Sequence, residues 1–152
     1  MEVASFAEIE EEFIKRVHSV VWCNVATIDI QDRPRSRILH PIWESSIGWI
    51  TTRRGSAKEQ HLARNVYVSL AYIADTTKPV YADCKAEWME NLVDKKRIWN
   101  KLHDAPPPLG FDPALFYERV DHPNFGLLKL TPWRIEIATQ GVGTQVWHAN
   151  RG

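Results

Sequence analysis

The apolar positions of this chain follow two periods, and the way they alternate along the sequence predicts the order of its elements. Over 5–17, Phe6, Ile9, Phe13 and Ile14 gather on one side while Glu8, Glu10, Glu11, Glu12 and Lys15 take the rest. That is the 3.6-residue period of a surface helix, with Ser5 and Glu8 placed as a capping box at its start. Over 20–30 the pattern changes to β-branched alternation, which predicts a strand, and Gln31-Asp32-Arg33-Pro34 predicts a turn. The same reasoning predicts strands over 35–43, 47–52, 67–73, 80–88 and 125–138. A helix over 56–64 opens on a second capping box, Ser56 with Glu59. Another begins at about Asn91, with Leu92, Ile98, Trp99 and Leu102 as its apolar face, and the three prolines at 106–108 end it. Pro113 suits the first position of a short helix over 112–119, and Pro132 implies an edge or bulge in the last strand. The tail from about 140 is rich in Gly and polar residues and reads as extended.

Six strands joined mostly by short turns, with helices interrupting rather than alternating with them, predict a mainly β, α+β fold. The expected architecture is a six-stranded antiparallel barrel with peripheral helices, in a single domain over 1–152. A β-α-β rhythm and a G-x-G-x-x-G motif are both missing from the sequence, which argues against a dinucleotide-binding Rossmann domain.

Charge narrows the function classes. Nineteen basic residues balance nineteen acidic ones, so no global field draws nucleic acid or an anionic membrane. No apolar run reaches the roughly 20 residues a membrane helix needs, and the opening residues have no secretory pattern, so a cytoplasmic protein is expected. Cys23 and Cys84 sit far apart in apolar strand-like runs and read as buried reduced thiols. Six histidines form no H-E-x-x-H and no close pair, so no metal site is expected. Seven tryptophans are the compositional outlier; they suit a core, a subunit interface or a planar ligand.

One stretch concentrates candidate chemistry. Arg35 and Arg37, two apart on a strand, share a face, and two neighbouring guanidiniums make sense beside an anion. Pairing with Asp29 or Glu44 is the plainer alternative. A glycine turn at Gly55 then leads into a helix that opens with Ser56 and Lys58, adding a helix-start dipole and a full positive charge.

Arg37-Ile38-Leu39, Thr51-Thr52, Gly55-Ser56-Ala57-Lys58 and Leu62-Ala63-Arg64-Asn65 through Leu70 stand in an order that resembles the FMN-binding split-barrel family typified by pyridoxamine 5'-phosphate oxidase. The resemblance implies a split barrel whose cofactor is FMN. Arg37, Ser56 and Lys58 would hold the flavin phosphate, with Arg35 assisting, and Ile38, Leu39, Thr51 and Thr52 would border the ring and ribityl chain. It implies a homodimer with the flavin at the two-fold interface, where Trp133 or Trp147 would reach the partner's flavin. It also implies oxidoreductase chemistry on a small molecule, with catalytic residues unassigned. Ala57 departs from the family's arginine, a contact that Arg53, Arg54 or Arg35 would have to replace. The family's C-terminal R-L-x-P block is missing, so pyridoxamine phosphate is not the expected substrate. His40 and His61 fall inside this block and are candidates to poise a proton near the ring, although packing or surface roles explain them more simply. Two alternatives stay open: a reductase of the same fold using the deazaflavin F420, and a non-catalytic flavin- or haem-binding module for stress or redox sensing.

Overall fold

A computed structural model, described here for residues 1–150, places nine strands in one sheet. The strands are β1 (Glu2–Val3), β2 (Cys23–Ile28), β3 (Pro34–Leu39), β4 (Ile42–Glu44), β5 (Ile47–Arg53), β6 (Tyr67–Tyr72), β7 (Val80–Trp88), β8 (Phe125–Thr139) and β9 (Gly143–His148). The helices are α1 (Glu10–Val20), α2 (Ala57–Arg64), α3 (Leu92–Asp104) and α4 (Ala114–Tyr117). The sheet runs β1-β9-β8-β7-β6-β2-β3, and β5 joins the other part of β8 with β4 beside it. All pairs are antiparallel except β1 with β9. No ladder among the described residues joins β3 back to β4 or β5, so the sheet stays open between them. The fold is mainly β with peripheral helices, as expected, but with nine strands instead of six.

The extra strands have local causes. The predicted strand over 35–43 divides into β3 and β4 at His40-Pro41, where the proline supplies no amide for a ladder. The tail supplies β9, paired with β8 on one side and β1 on the other. Pro132 does mark an irregularity: the β7–β8 register shifts where Asp83 faces Arg134 and Cys84 faces Pro132. The first predicted helix starts as a 3-10 turn over Phe6–Glu8, with the Ser5–Glu8 capping box formed, and only then becomes α1. The predicted helix over 112–119 shrinks to the single turn of α4.

The main core fills the space under β2, β6, β7 and β8 and is closed by Ile9, Phe13 and Val17 around α1. Trp43 sits inside it, its ring edge-on to Phe13 at 4.9 Å and its Nε1 donating to the Tyr72 hydroxyl at 2.9 Å. A second cluster, Ile42, Trp49, Ile98, Leu102 and Leu127, docks α3 against β4 and β5. Cys23 and Cys84 are buried free thiols, as expected. Among the described residues no helix is long and apolar enough to cross a membrane.

Candidate functional site

β3 is an end strand whose inward face breaks the core pattern. On β2, Cys23, Val25 and Thr27 point inward and are buried. Their neighbours across the ladder are Leu39, Arg37 and Arg35. Side chains directly opposite share a face, so two arginines lie where a closed barrel would carry apolar groups. Arg37 is half-buried and donates from Nη1 to the Val25 carbonyl at 3.3 Å. Arg35 is more exposed and lies 3.7 Å from Asp29, a carboxylate already held by Arg33 at 3.2 Å. The pairing alternative therefore accounts for Arg35 and not for Arg37; Glu44 pairs with Arg97 and Lys101 on α3.

α2 brings the third cation. Gly55 turns the chain with a φ of 78°, a conformation that favours glycine, and α2 starts at Ala57. The expected capping box does not form. Glu59 reaches past Ser56 to the Gly55 amide at 2.6 Å and pairs with Arg54, while the Ser56 hydroxyl makes no cap bond. That hydroxyl instead accepts from Lys58 Nζ at 2.9 Å, which leaves the helix start uncapped by a side chain. Burial and the neighbouring Arg37 charge hold the Lys58 ammonium below its usual range. Burial and Arg35 act in the same direction on Arg37. Cations that depress one another without a shared carboxylate form a site complementary to an anion. Below them the buried Thr27 hydroxyl meets His61 Nδ1 at 2.8 Å, fixing α2 to β2. His61 is thus a packing residue, and burial followed by the Arg37 charge keeps its ring neutral. Arg54 cannot replace the arginine missing at Ala57, because it pairs with Glu59 and Glu90 and lies over the Trp88 ring at 4.1 Å.

A cleft of about 300 Å³ opens beside this cluster. One wall is Ile38, Leu39, Thr51 and Thr52, four of the residues singled out from the sequence. Their spacing depends on Gly126: opposite Thr52 on β8, it approaches so closely that a Cβ there would lie 2.8 Å from the Thr52 carbonyl. The other wall is Trp22, His40, Pro108, Phe111, Phe116 and Tyr117, of which sequence reasoning had considered only His40. The loop after α3 is folded tightly enough to place Phe111, its amide bonded to the Leu102 carbonyl at 3.0 Å. His40 lies between Trp22 and Phe111, with ring centroids 5.1 and 5.4 Å away. Its Nε2 is buried and meets no hydrogen-bond partner. Burial lowers the His40 pKa below the ordinary 6.5, opposed by a hydrogen bond with the Leu109 backbone. Tyr117 hydrogen-bonds the Thr51 side chain and joins the two walls, while burial pushes its phenol up. Trp147 is packed edge-on against Phe6 at 5.4 Å, in the core margin, whereas Trp133 remains partly exposed. Among the described residues no group of three or more His, Cys, Asp or Glu could hold a metal ion.

No protein-family model matches this chain, and no curated protein does. Solved structures do match in shape. A protein of Clostridium acetobutylicum related to general stress protein 26, of the pyridoxinephosphate oxidase family, superposes with a TM-score of 0.76 over 95% of this chain and 96% of its own, at 13% identity. A pyridoxamine 5'-phosphate oxidase-related, FMN-binding protein of Nostoc punctiforme gives 0.68 over 99% and 94%, at 16% identity. A haem-binding protein of Mycobacterium smegmatis gives 0.71 over 96% of this chain and 59% of its own, at 17% identity. The chain therefore has the fold of the pyridoxamine 5'-phosphate oxidase-like split barrels.

Proposed function

We propose that this protein binds FMN and uses it as an oxidoreductase on a small molecule, as a homodimer. The observation that carries the reading is the pair Arg37 and Lys58, half-buried and mutually repelling, beside the uncapped start of α2 and next to a cleft. A phosphate monoester supplies the missing negative charge, accepting from Arg37, Lys58, the Ser56 hydroxyl and the first-turn amides. Arg35 contributes at longer range, since Asp29 already engages it. Ile38 and Leu39 give a flat apolar edge for the ring, and Thr51 and Thr52 offer hydroxyls to the ribityl chain and ring polar atoms. The FMN-binding neighbour in Nostoc supports this assignment. When bound, a flavin supplies electron transfer to and from organic substrates. The chain's part is to neutralise the phosphate, orient the ring against the aromatic wall and exclude water from the cleft.

The dimer is proposed from the outer face of β2, β3 and β6. Trp22, Ile38 and Ile73 are 57%, 61% and 53% exposed there, around Asn24 and Ala71. Trp22 and Ile38 also line the cleft, so a second chain on this face would close the cofactor site. Replacing Ile38→Glu should give a monomer by sedimentation and weaken FMN uptake with it; a variant that stays dimeric refutes this choice of face.

The reading is tested by the absorption spectrum of purified protein, chromatography of what acid releases, and titration of apoprotein with FMN. The Arg37→Ala/Lys58→Ala double variant should fold, by circular dichroism, and fail to retain FMN. Retention of full FMN by that variant would overturn the phosphate assignment. Uptake of F420 in preference to FMN would move the cofactor to the deazaflavin. A histidine in an aromatic cleft also suits haem iron, and one fold neighbour binds haem. The cleft's roughly 300 Å³ favours the smaller flavin ring over a porphyrin, and a Soret band would reverse that choice.

A further inference from the structure

Glu59, the third residue of α2, puts a carboxylate in the first turn of the helix that carries Ser56 and Lys58 at its start. At an ordinary helix start that charge is favourable, because it offsets the dipole and caps a free amide. Beside a phosphate it is unfavourable twice over, since it competes for the same amides and repels the anion. Here the carboxylate is turned away. Its Oε1 pairs with Arg54 Nη2 at 2.8 Å, and its Oε2 accepts from the Gly55 amide at 2.6 Å. Arg54 is itself fixed from several sides. Its amide donates to the Asn124 carbonyl at 2.9 Å, its guanidinium lies over the Trp88 ring at 4.1 Å, and its Nη1 is 3.4 Å from Glu90. Gly126 leaves room for this stack: a Cβ there would stand 2.6 Å from Trp88 Cζ3 and 3.0 Å from Arg54 Cδ.

We propose that Arg54 is a positioning residue for the phosphate end of the site: it holds the Glu59 carboxylate off the start of α2, so that Ser56, Lys58 and the first-turn amides stay open to the FMN phosphate. The inference rests on the FMN reading. Arg54 does not touch the phosphate; it acts through Glu59, the carboxylate it binds. A planar guanidinium suits the task, because its separate nitrogens face Glu59 and Glu90 while its face stacks on the indole. Without Arg54, Ser56 and Glu59 would be free to close as the capping box that their spacing encodes. Each half of that box occupies one amide of the helix start, and its carboxylate would stand beside Lys58. The arginine missing at Ala57 is thus offset indirectly, by removing a negative charge instead of supplying a further contact.

The test compares FMN with riboflavin, which has the same ring and ribityl chain and lacks the phosphate, by fluorescence titration of apoprotein. Arg54→Met should weaken FMN roughly 10- to 100-fold, through lost amide donors and added repulsion, and riboflavin by less than about twofold. Glu59→Ala alone should keep FMN within about threefold of wild type, and Arg54→Met/Glu59→Ala should return to that level. Arg54→Lys, which keeps a cation for Glu59, should lose less than Arg54→Met. Circular dichroism checks that each variant folds, and Arg54→Gln serves for the same comparison should the methionine variant not fold. Unchanged FMN affinity in Arg54→Met, or an equal loss of FMN and riboflavin, would overturn the proposal and leave Arg54 a support of the fold. A double variant that stays as weak as Arg54→Met would also overturn it, since Arg54 would then act on the phosphate directly. In each of these cases the FMN reading stands. Failure of the wild-type protein to take up FMN would remove both readings together.

Discussion

Replacing Lys58→Met separates a ligand-binding cation from a structural one, because the two roles predict opposite signs for stability. The Lys58 amine meets the Ser56 hydroxyl and stands in the field of Arg37, which lowers its proton affinity together with burial. Methionine keeps the length and the apolar packing of the stem while removing the charge. The group is about half exposed, so the repulsion it relieves is screened and is worth no more than about 1 kcal/mol. The variant should therefore be as stable as wild type or gain up to about 1 kcal/mol, a rise of about 2–4 °C in Tm for a domain of this size. Any gain should shrink in 1 M salt, where the screening length falls to roughly 3 Å. Binding should move the other way. A hydrogen bond to a charged group contributes about 1.5–3 kcal/mol, so FMN affinity should fall roughly 10- to 150-fold. Thermal unfolding of the apoprotein and flavin fluorescence titration read the two quantities independently. A variant that loses more than about 1 kcal/mol of stability while binding FMN normally would refute the reasoning, since Lys58 would then be part of the fold's support.

Two further outcomes are expected. Gly110→Ala places a Cβ 1.9 Å from the Ala105 carbonyl oxygen, so the loop carrying Pro108 and Phe111 must move; the cost should be on the order of 2–3 kcal/mol by urea unfolding, with loss of near-UV aromatic signal. A stable variant with an unchanged near-UV spectrum would mean that the loop is not held as described. Stability should also fall as pH drops below about 6.5, because His18, His40 and His61 are held below that ordinary value, chiefly by burial. In that range the unfolded chain binds more protons than the folded one, which gives the slope its sign, and the full contribution is present above the unfolded value. His103 is raised by Asp104 and opposes the trend from the surface. Urea midpoints at pH 7.5 and 5.5 should differ, and His61→Gln should narrow the gap; an equal gap would remove His61 from the account.

What could be read from the sequence depended on how local each feature is. The strand β7 was read with its observed bounds, because alternation over nine residues follows the Lys78-Pro79 break and needs no distant partner to define it. The phosphate half of the site was visible for the same reason: β3, β5 and the start of α2 lie within one short stretch of chain. The aromatic half was not, because Phe111, Phe116 and Tyr117 reach Trp22 and His40 only through the packing of the loop after α3, about seventy positions further along. Nothing in the period of a one-turn helix after three prolines says which cleft it will line. The misreading at Ser56 is of a different kind. A serine followed three residues later by glutamate is the signature of a capped helix start, and the same serine beside a lysine is what an anion site requires. The sequence allows both, and each serine hydroxyl has one proton and two lone pairs to distribute. Here Glu59 is drawn to Arg54 and the Gly55 amide, so the box loses its second half and the Ser56 hydroxyl turns to Lys58. The choice that leaves the start of α2 uncapped is therefore made by Arg54, a residue that the motif does not include.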